Sequence, residues 1–233
     1  MNRIEENIIE VKKNIEASAK KAGRDPLKTT LIAVSKTKPV EDMLVAYNAG
    51  IRDFGENKVQ EIVDKYDKIP KDARFHMIGH LQKNKVKYIV DKVCMIHSVD
   101  SFELAEVIEK ESVKKNVTTD ILIEVNIAGE ESKFGVKPKD AAELCKKISK
   151  LPHVRVRGLM TVAPYVENAE ENRQYFVGLR QLGIDINSQN IDNIYIEILS
   201  MGMSKDYCIA TEEGASFVRV GTDIFGERNY NTV

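Results

Sequence analysis

Short apolar runs alternate with amphipathic segments along most of the chain. The runs have the length and β-branched composition of buried strands, and the segments between them repeat apolar residues at helical spacing. The predicted strands cover residues 30–35, 51–54, 75–78, 93–97, 121–127, 154–160, 194–199 and 217–220. The predicted helices cover residues 2–22, 39 toward 50, 57–67, 81–90, 101–114, 138–149, 167–182 and 205–213. This alternation is typical of an α/β protein with a parallel sheet.

Strand–helix units in this number and length fit a closed (β/α)8 TIM barrel. We predict one barrel domain over residues 1–233, with the helix over residues 2–22 preceding the first strand as an extra element. An open doubly wound sheet shows the same alternation and remains the alternative. The sequence has no repeat beyond this alternation and no linker that would divide it.

Lys36 directly follows the first predicted strand, and Pro39 opens the helix after it. Lysine is rarely buried unless it is paired or chemically used, so its place at the end of a buried strand is unusual. Partial burial lowers the pKa of an ammonium group and makes the amine a nucleophile toward a carbonyl carbon. The alternative is a lysine that only extends its ammonium group to solvent.

The loops after the seventh and eighth predicted strands have the composition of a phosphate-binding site. Gly202 and Gly221 allow close approach of the backbone to an anion, Ser204 is expected at a helix start, and Thr222 adds a hydroxyl donor. These two loops form the usual phosphate site of (β/α)8 barrels. The alternative makes Ser204 an ordinary helix cap and Gly221 an ordinary turn glycine.

Arg219 shares strand parity with Phe217 and Gly221, so it is expected to point into the barrel. A buried arginine needs a partner, which is either a carboxylate such as Glu197 or an acceptor on a ligand. A nucleophilic lysine, a phosphate site and an arginine for a ring nitrogen together indicate a pyridoxal 5′-phosphate site.

Composition and motif spacing disfavour several other classes. The net charge of −1 gives no electrostatic case for binding nucleic acid or a membrane surface, and no apolar stretch approaches the length of a membrane span. The spacing of Cys94, Cys145 and Cys208 indicates neither a zinc site nor a disulfide framework, and we expect reduced thiols in a cytoplasmic protein. His76 and His80 lie on a strand and its loop, which favours packing and hydrogen bonding over metal binding.

Seven segments form a recognisable series along essentially the whole chain. They are AVSKTKP (33–39), FGENKVQE (54–61), HMIGHLQKNK (76–85), FGV (134–136), GLMT (158–161), SMGMSKD (200–206) and VRVGTDIFGER (218–228). The series resembles the pyridoxal phosphate homeostasis protein family, and SMGMS with VRVGT is its most specific part. The resemblance implies the barrel of the alanine racemase amino-terminal domain and the cofactor pyridoxal 5′-phosphate. It also implies a role in vitamin B6 homeostasis without established turnover.

The resemblance also assigns site residues. It implies that Lys36 forms the Schiff base, that Asn57 lines the cofactor and that Arg219 faces the pyridine nitrogen. The residues that it assigns to the phosphate are Ser204, Gly221, Thr222 and, as a weaker candidate, Ser200. It gives His80 no role.

A binding protein is favoured over an enzyme on two grounds. A racemase with this barrel takes its second acid/base group from a carboxyl-terminal β domain, whereas this sequence ends soon after the eighth predicted strand. Arginine at the ring nitrogen keeps the pyridine unprotonated, which weakens the cofactor as an electron sink. The alternatives left open are a single-domain pyridoxal phosphate enzyme, such as an amino acid racemase or lyase, and a class I aldolase using Lys36. We expect a monomer whose recipients are pyridoxal phosphate-dependent apo-enzymes.

Overall fold

A closed ring of parallel strands forms the centre of the molecule in the computed structural model, which describes residues 2–227. The eight strands within those residues are β1 (Thr30–Val34), β2 (Asp53–Glu56), β3 (Arg74–Met77), β4 (Val93–Val99), β5 (Thr119–Glu124), β6 (Val154–Met160), β7 (Ile198–Met203) and β8 (Phe217–Val220). Each strand pairs with the next, and β8 pairs with β1 through the register Ala33 with Val220. The predicted barrel is therefore confirmed, and the open-sheet alternative is wrong.

Helices follow the strands on the outside of the barrel. Within residues 2–227 they are α1 (Arg3–Lys21), α2 (Val40–Asn48), α3 (Val59–Tyr66), α4 (Phe102–Lys115), α5 (Pro138–Ile148), α6 (Arg173–Ser188), α7 (Tyr207–Glu212) and α8 (Thr222–Phe225). Short 3₁₀ helices cover Pro26–Lys28, Lys83–Tyr88 and Ala169–Asn172. None of the helices in this part of the chain is both long and apolar enough to cross a membrane.

The extra amino-terminal helix α1 begins with a capping box, in which Asn2 and Glu5 satisfy each other's backbone N–H groups. Its apolar positions, including Ile8 and Val11, are buried, and the helix packs against α2, α7 and α8. This helix thus covers the seam where the first and last strands meet. The predicted single domain also includes residue 1 and residues 228–233, which lie outside the described residues.

The barrel interior holds few apolar side chains. Met95, Leu122 and Met160 form a small buried cluster there, and Phe217 packs against it. The main core lies instead between the strands and the surrounding helices. Much of the interior is filled by polar side chains, whereas bulky branched residues dominate most barrels of this kind.

Several predicted boundaries differ from the structure. β7 runs over Ile198–Met203 and ends four residues beyond the predicted strand 194–199, so Ser200 lies within a strand. α7 begins at Tyr207 with Asp206 at its N-cap position, and Ser204 therefore lies in a turn before the helix. The predictions of Ser204 at a helix start and of Ser204 as a helix cap are both wrong. The predicted helix over residues 81–90 is the 3₁₀ helix Lys83–Tyr88.

Gly202 explains how β7 turns toward α7. Its φ of +87° lies in the region that favours glycine, and an added Cβ would stand 2.4 Å from the Cβ of Ala210. Gly202 thus permits close packing of β7 on α7, and it does not line the cavity described below. The structure therefore explains Gly202 by its packing against Ala210 and does not support the prediction that its backbone approaches an anion.

Candidate functional site

A cavity of about 460 Å³ lies at the carboxyl ends of the strands. This is the end of the barrel at which (β/α)8 enzymes hold their ligands. The cavity is lined by six of the seven predicted site residues, namely Lys36, Asn57, Ser204, Arg219, Gly221 and Thr222. Ser200, the seventh, is 0% exposed and reaches the cavity through its contact with Arg219.

The backbone on either side of Lys36 is held by an acidic and basic cluster. Thr37 has a φ of +62°, and its N–H donates to Oε2 of Glu61 at 2.6 Å. Lys65 Nζ donates to the carbonyl oxygen of Ser35 at 2.9 Å and to Glu61 Oε2 at 2.8 Å. These contacts stabilise a backbone conformation that is unfavourable for threonine. The cluster thus positions Lys36, whose side chain lines the cavity.

Glu56 completes this cluster from the end of β2. Its Oε1 accepts from Ser35 Oγ at 2.7 Å and from Lys65 Nζ at 2.8 Å, and the residue is 0% exposed. Burial raises the pKa of Glu56, and the opposing charge of Lys65 limits that rise. Sequence reasoning gave no role to Glu56, Glu61 or Lys65, although Glu56 and Glu61 both lie in the FGENKVQE segment.

Two asparagine side chains place unsatisfied acceptors near the cavity. The buried Oδ1 atoms of Asn57 and Asn172 have no hydrogen-bond partner within residues 2–227, and both residues line the cavity. The Nδ2 group of Asn172 donates to Pro164 O at 3.0 Å and to Asp206 Oδ2 at 2.8 Å. Buried acceptors of this kind are normally satisfied by a ligand or water. Asn172 lies in none of the segments that carried the resemblance, and Asp206 was given no role although it ends the SMGMSKD segment.

Arg219 lies inside the barrel, as its strand parity predicted, and is 4% exposed. Its guanidinium donates to Ser200 Oγ at 2.6 Å and to the carbonyl oxygen of Thr161 at 2.8 Å. Burial lowers the pKa of Arg219 to about 10, although the carboxylates of Glu124 and Asp206 act in the opposite direction. The group nevertheless stays cationic at neutral pH.

The proposed structural ion pair between Arg219 and Glu197 is wrong. Glu197 instead accepts from Arg157 on the neighbouring strand β6. The carboxylate that acts most strongly on Arg219 is Glu124, at the end of β5, whose Oε2 is buried and has no partner within the described residues. Burial and the proximity of Asp100 raise the pKa of Glu124 to about 7.

A buried series of hydrogen bonds continues from Arg219 across the barrel. His97 Nδ1 lies 2.9 Å from Ser200 Oγ, and His97 Nε2 lies 3.0 Å from His76 Nδ1. His76 Nε2 lies 2.9 Å from Oδ1 of Asp53 at the start of β2. The sequence showed no pattern for His97 and suggested only packing and hydrogen bonding for His76. The inward parity of each strand could have placed both rings in the barrel, but their contact depends on the strand register.

The predicted phosphate residues lie at the loops after β7 and β8. Thr222 is the first residue of α8, and Gly221 precedes it at the N-cap position. Ser204 lines the same cavity from the turn after β7, beside Lys205. The site thus offers two hydroxyl groups and backbone N–H groups at one side of the cavity.

His80 packs on a neighbouring loop. Its ring stacks on Phe134 with centroids 4.0 Å apart, and the adjacent Lys133 lines the cavity. The stack therefore joins the loop after β3 to the loop between β5 and α5. No group of three or more potential metal-ligating side chains occurs in the described part of the chain.

The barrel, the lysine after β1 and the buried arginine of β8 together define a protein of the alanine racemase barrel class. The family described as "Alanine racemase, N-terminal domain" matches residues 7–229. A pyridoxal phosphate homeostasis protein of Aquifex aeolicus is 45% identical over 97% of this chain and 98% of its own length. A pyridoxal phosphate homeostasis protein of Pseudomonas aeruginosa is 39% identical over 99% of this chain and 98% of its own length. The chain belongs to the pyridoxal phosphate homeostasis protein family.

Solved structures agree with this assignment. PipY of Synechococcus elongatus, determined with pyridoxal phosphate bound, is 35% identical and superposes with a TM-score of 0.79 over 91% of this chain and 100% of its own. A protein of unknown function from Bifidobacterium adolescentis is 34% identical, with a TM-score of 0.91 over 96% of this chain and 94% of its own. Alanine racemase of Corynebacterium glutamicum, at 13% identity and a TM-score of 0.70, shares the fold, and this chain covers 62% of it.

Proposed function

We propose that this protein binds pyridoxal 5′-phosphate as a Schiff base on Lys36 and acts in the homeostasis of vitamin B6. The observation that carries the proposal is the convergence of Lys36, Arg219, Ser204 and Thr222 on one cavity of about 460 Å³. That volume lies within the range of sites for small ligands. The bound cofactor in PipY and the names of the close relatives support the same ligand.

Lys36 is the residue proposed to bind the cofactor covalently. With pyridoxal phosphate bound, the amine of Lys36 would replace the aldehyde oxygen, which would leave as water, by a C=N bond to the same carbon. The contacts of Thr37 and Ser35 with Glu61 and Lys65 restrict the backbone from which this side chain extends. Pre-organisation of this kind lowers the entropic cost of binding.

The other cavity residues supply complementary polar groups. Ser204, Thr222 and the backbone at Gly221 are proposed to bind the phosphate, and Asn57 lines the ring. Arg219 is proposed to donate a hydrogen bond to the pyridine nitrogen, since a guanidinium has donors beyond those used on Ser200 and on the Thr161 carbonyl. A donor at that nitrogen keeps it unprotonated and weakens the electron sink, which favours binding over turnover. The contacts of Ser200 support a role in holding Arg219 rather than the phosphate.

One observation favours a second candidate, a single-domain enzyme that racemises or cleaves amino acids. Tyr165 and Lys205 line the same cavity and contact each other, with the ammonium group 4.0 Å from the ring centroid. A phenol and an amine at the mouth of such a site are candidate acid/base groups. Steady product release at about 1 per second or faster would support this alternative. Much slower release would support a binding role.

The experiment is borohydride reduction of the purified protein after loading with pyridoxal phosphate, followed by peptide mass mapping. We expect a yellow protein that loses its colour on reduction and carries the label on Lys36. Lys36→Ala should remove both the colour and the label, whereas Lys133→Ala, which changes another cavity lysine, should retain them. A label on a different lysine, or trapping of a sugar phosphate in place of pyridoxal phosphate, would contradict the proposal.

A further inference from the structure

Five buried side chains connect the cavity to the opposite end of the barrel. Arg219, Ser200, His97, His76 and Asp53 form consecutive contacts between 2.6 and 3.0 Å, and each is 5% exposed or less. In that order they belong to β8, β7, β4, β3 and the start of β2, and all lie inside one barrel. We call this series the Asp53–Arg219 relay.

The chemistry of its two ends gives the relay a single direction. Arg219 can only donate, and an ionised Asp53 can only accept. Asp53 is ionised, because hydrogen bonds from His76 and Arg74 outweigh the effect of burial and lower the pKa of its carboxyl group. His76 Nε2 must therefore carry a proton. If His76 Nδ1 also carried one, His97 would accept at Nε2 and donate from Nδ1 to Ser200, whose own proton would then lose this acceptor, so we assign Nδ1 of His76 as the acceptor from His97 Nε2.

The remaining link follows from this direction. His97 Nδ1 then has no proton and accepts from the hydroxyl of Ser200, which in turn accepts from Arg219. Each of these contacts then joins one donor to one acceptor, and the hydrogen bonds run from a cation to an anion. If these hydrogen bonds ran in the opposite direction, His97 Nδ1 would donate to Ser200, and the Ser200 hydroxyl would lose this acceptor. The unprotonated Nε2 of His76 would then face the carboxylate of Asp53.

The surroundings of the histidines agree with this direction. Cys94 Sγ donates a hydrogen bond to the carbonyl oxygen of Phe75 at 3.2 Å and lies 3.3 Å from His76 Nε2. Because the thiol proton points to Phe75, the sulfur presents a lone pair to Nε2 of His76, which suits a protonated nitrogen at that position. The ring of Phe217 lies 5.4 Å from the His76 ring and 5.6 Å from the His97 ring, measured between centroids, and so covers both.

We propose that the Asp53–Arg219 relay is a positioning device, in which neutral His76 and His97 fix the guanidinium of Arg219 in the orientation that meets the pyridine nitrogen. The proposal rests on the proposed function for the identity of the ligand. Removing charge at Asp53 alters Arg219 through four intervening hydrogen bonds, although Asp53 does not line the cavity. His76, His97 and Ser200 act through Arg219 and are therefore positioning residues.

The first test uses the protein without cofactor. Long-range ¹H–¹⁵N correlation NMR on protein labelled at histidine reports which ring nitrogen is protonated. At neutral pH we expect both His76 and His97 to be neutral with the proton on Nε2. An Nδ1–H tautomer, or an imidazolium, at either residue would overturn the relay.

The second test compares Asp53→Asn with Asp120→Asn. Both aspartates lie near the start of a strand and pair with arginine, Asp53 with Arg74 and Asp120 with Arg155, but Asp53 also contacts a histidine. The side-chain amide introduced by Asp53→Asn can turn its donor toward His76, so we expect the Nδ1–H tautomer of His76 and His97 to appear in that variant. Asp120→Asn should leave the wild-type tautomers.

The cofactor supplies the final readout. After loading with pyridoxal phosphate, Asp53→Asn should shift the visible absorbance maximum and raise the dissociation constant by roughly threefold to tenfold, the cost of one weakened buried hydrogen bond. Equal spectra and affinities for the Asp53→Asn and Asp120→Asn proteins would overturn the positioning role. If Asp53→Asn does not fold, His97→Leu, which removes the acceptor for Ser200, serves in the same comparison. A wild-type protein with the expected tautomers that takes up no pyridoxal phosphate would instead overturn the proposed function.

Discussion

The ammonium group of Lys65 lies 2.9 Å from the carbonyl oxygen of Ser35, so a buried lysine holds the backbone directly before Lys36. Lys65 is 7% exposed and also pairs with the fully buried Glu56 at 2.8 Å. A buried ion pair adds little net stability compared with apolar residues, but removal of one partner leaves a buried charge without compensation. The pair therefore ties the stability of the barrel to the local conformation at Lys36.

We expect Lys65→Met to lower the free energy of unfolding by about 3 kcal/mol, because Glu56 would remain buried without its partner. Lys71→Met is the matched control. Lys71 pairs with Asp67 four residues away, as Lys65 pairs with Glu61, but its side chain is 75% exposed. Loss of that surface pair should change stability by less than about 0.5 kcal/mol. Urea unfolding of the two variants measures the difference.

A double variant separates the charge from the loss of packing. Glu56→Gln in the Lys65→Met background removes the uncompensated carboxylate, and we expect it to recover a large part of the lost stability. If the single variant Lys65→Met unfolds no more easily than Lys71→Met, the buried pair does not constrain the backbone at Ser35 as described.

The accuracy of the predicted fold varied with the local signal of each strand. The predicted boundaries of β6 and β8 agree with the structure because β-branched and other apolar residues, interrupted only by arginine and glycine, define the segments VRVRGLM and FVRV. The predicted seventh strand lies too early in the chain because residues 194–199 have stronger β-propensity than the segment SMGM. The observed strand β7 lies later because Ser200 pairs with Met160 of β6. Tertiary pairing here overrides local propensity.

The same distinction applies to the candidate site. Lys36, Asn57 and Thr222 could be predicted to converge because each follows a strand, and parallel strands in a barrel end on one side. The contact between His76 and His97 could not be predicted, since it depends on the register of β3 with β4, in which His76 pairs with Met95. No periodicity within one strand contains that information.

The residues proposed to bind the phosphate predict a selective loss of affinity. Ser204→Ala combined with Thr222→Ala should raise the dissociation constant for pyridoxal phosphate by about tenfold or more, because hydrogen bonds to a charged group are worth more than neutral ones. Pyridoxal, which lacks the phosphate, is the matched control ligand, and its affinity should change little. Fluorescence titration with both ligands provides the measurement. Equal losses for both ligands would place the phosphate elsewhere.

Glu124 predicts how stability depends on pH. Burial and Asp100 raise the pKa of its carboxyl group to about 7 in the folded protein, above its ordinary value in the unfolded chain. Between about pH 4.5 and pH 7 the folded state therefore binds a proton that the unfolded state has lost, and stability falls as the pH rises. A shift of this size corresponds to a loss of about 3 kcal/mol once the pH exceeds 7.

Glu124→Gln removes this titration. We expect the variant without cofactor to unfold at a similar urea concentration to the wild type near pH 4.5 and to be more stable near pH 8, with a difference approaching about 3 kcal/mol. Urea unfolding of both proteins across that range gives the measurement. A difference that stays constant with pH would mean that Glu124 titrates at its ordinary value.

Gly202 predicts a steric limit on the turn from β7 into α7, and Gly129 provides the comparison. Both have positive φ, +87° and +72°, so alanine is strained at either position, but an added Cβ meets Ala210 at 2.4 Å only in the first case and nothing within 4 Å in the second. We expect Gly129→Ala to cost about 1 kcal/mol and Gly202→Ala about 3 kcal/mol or more. Because the shifted turn carries Ser204, Gly202→Ala should also weaken binding of pyridoxal phosphate. Equal unfolding free energies for the two variants would show that α7 moves aside without cost.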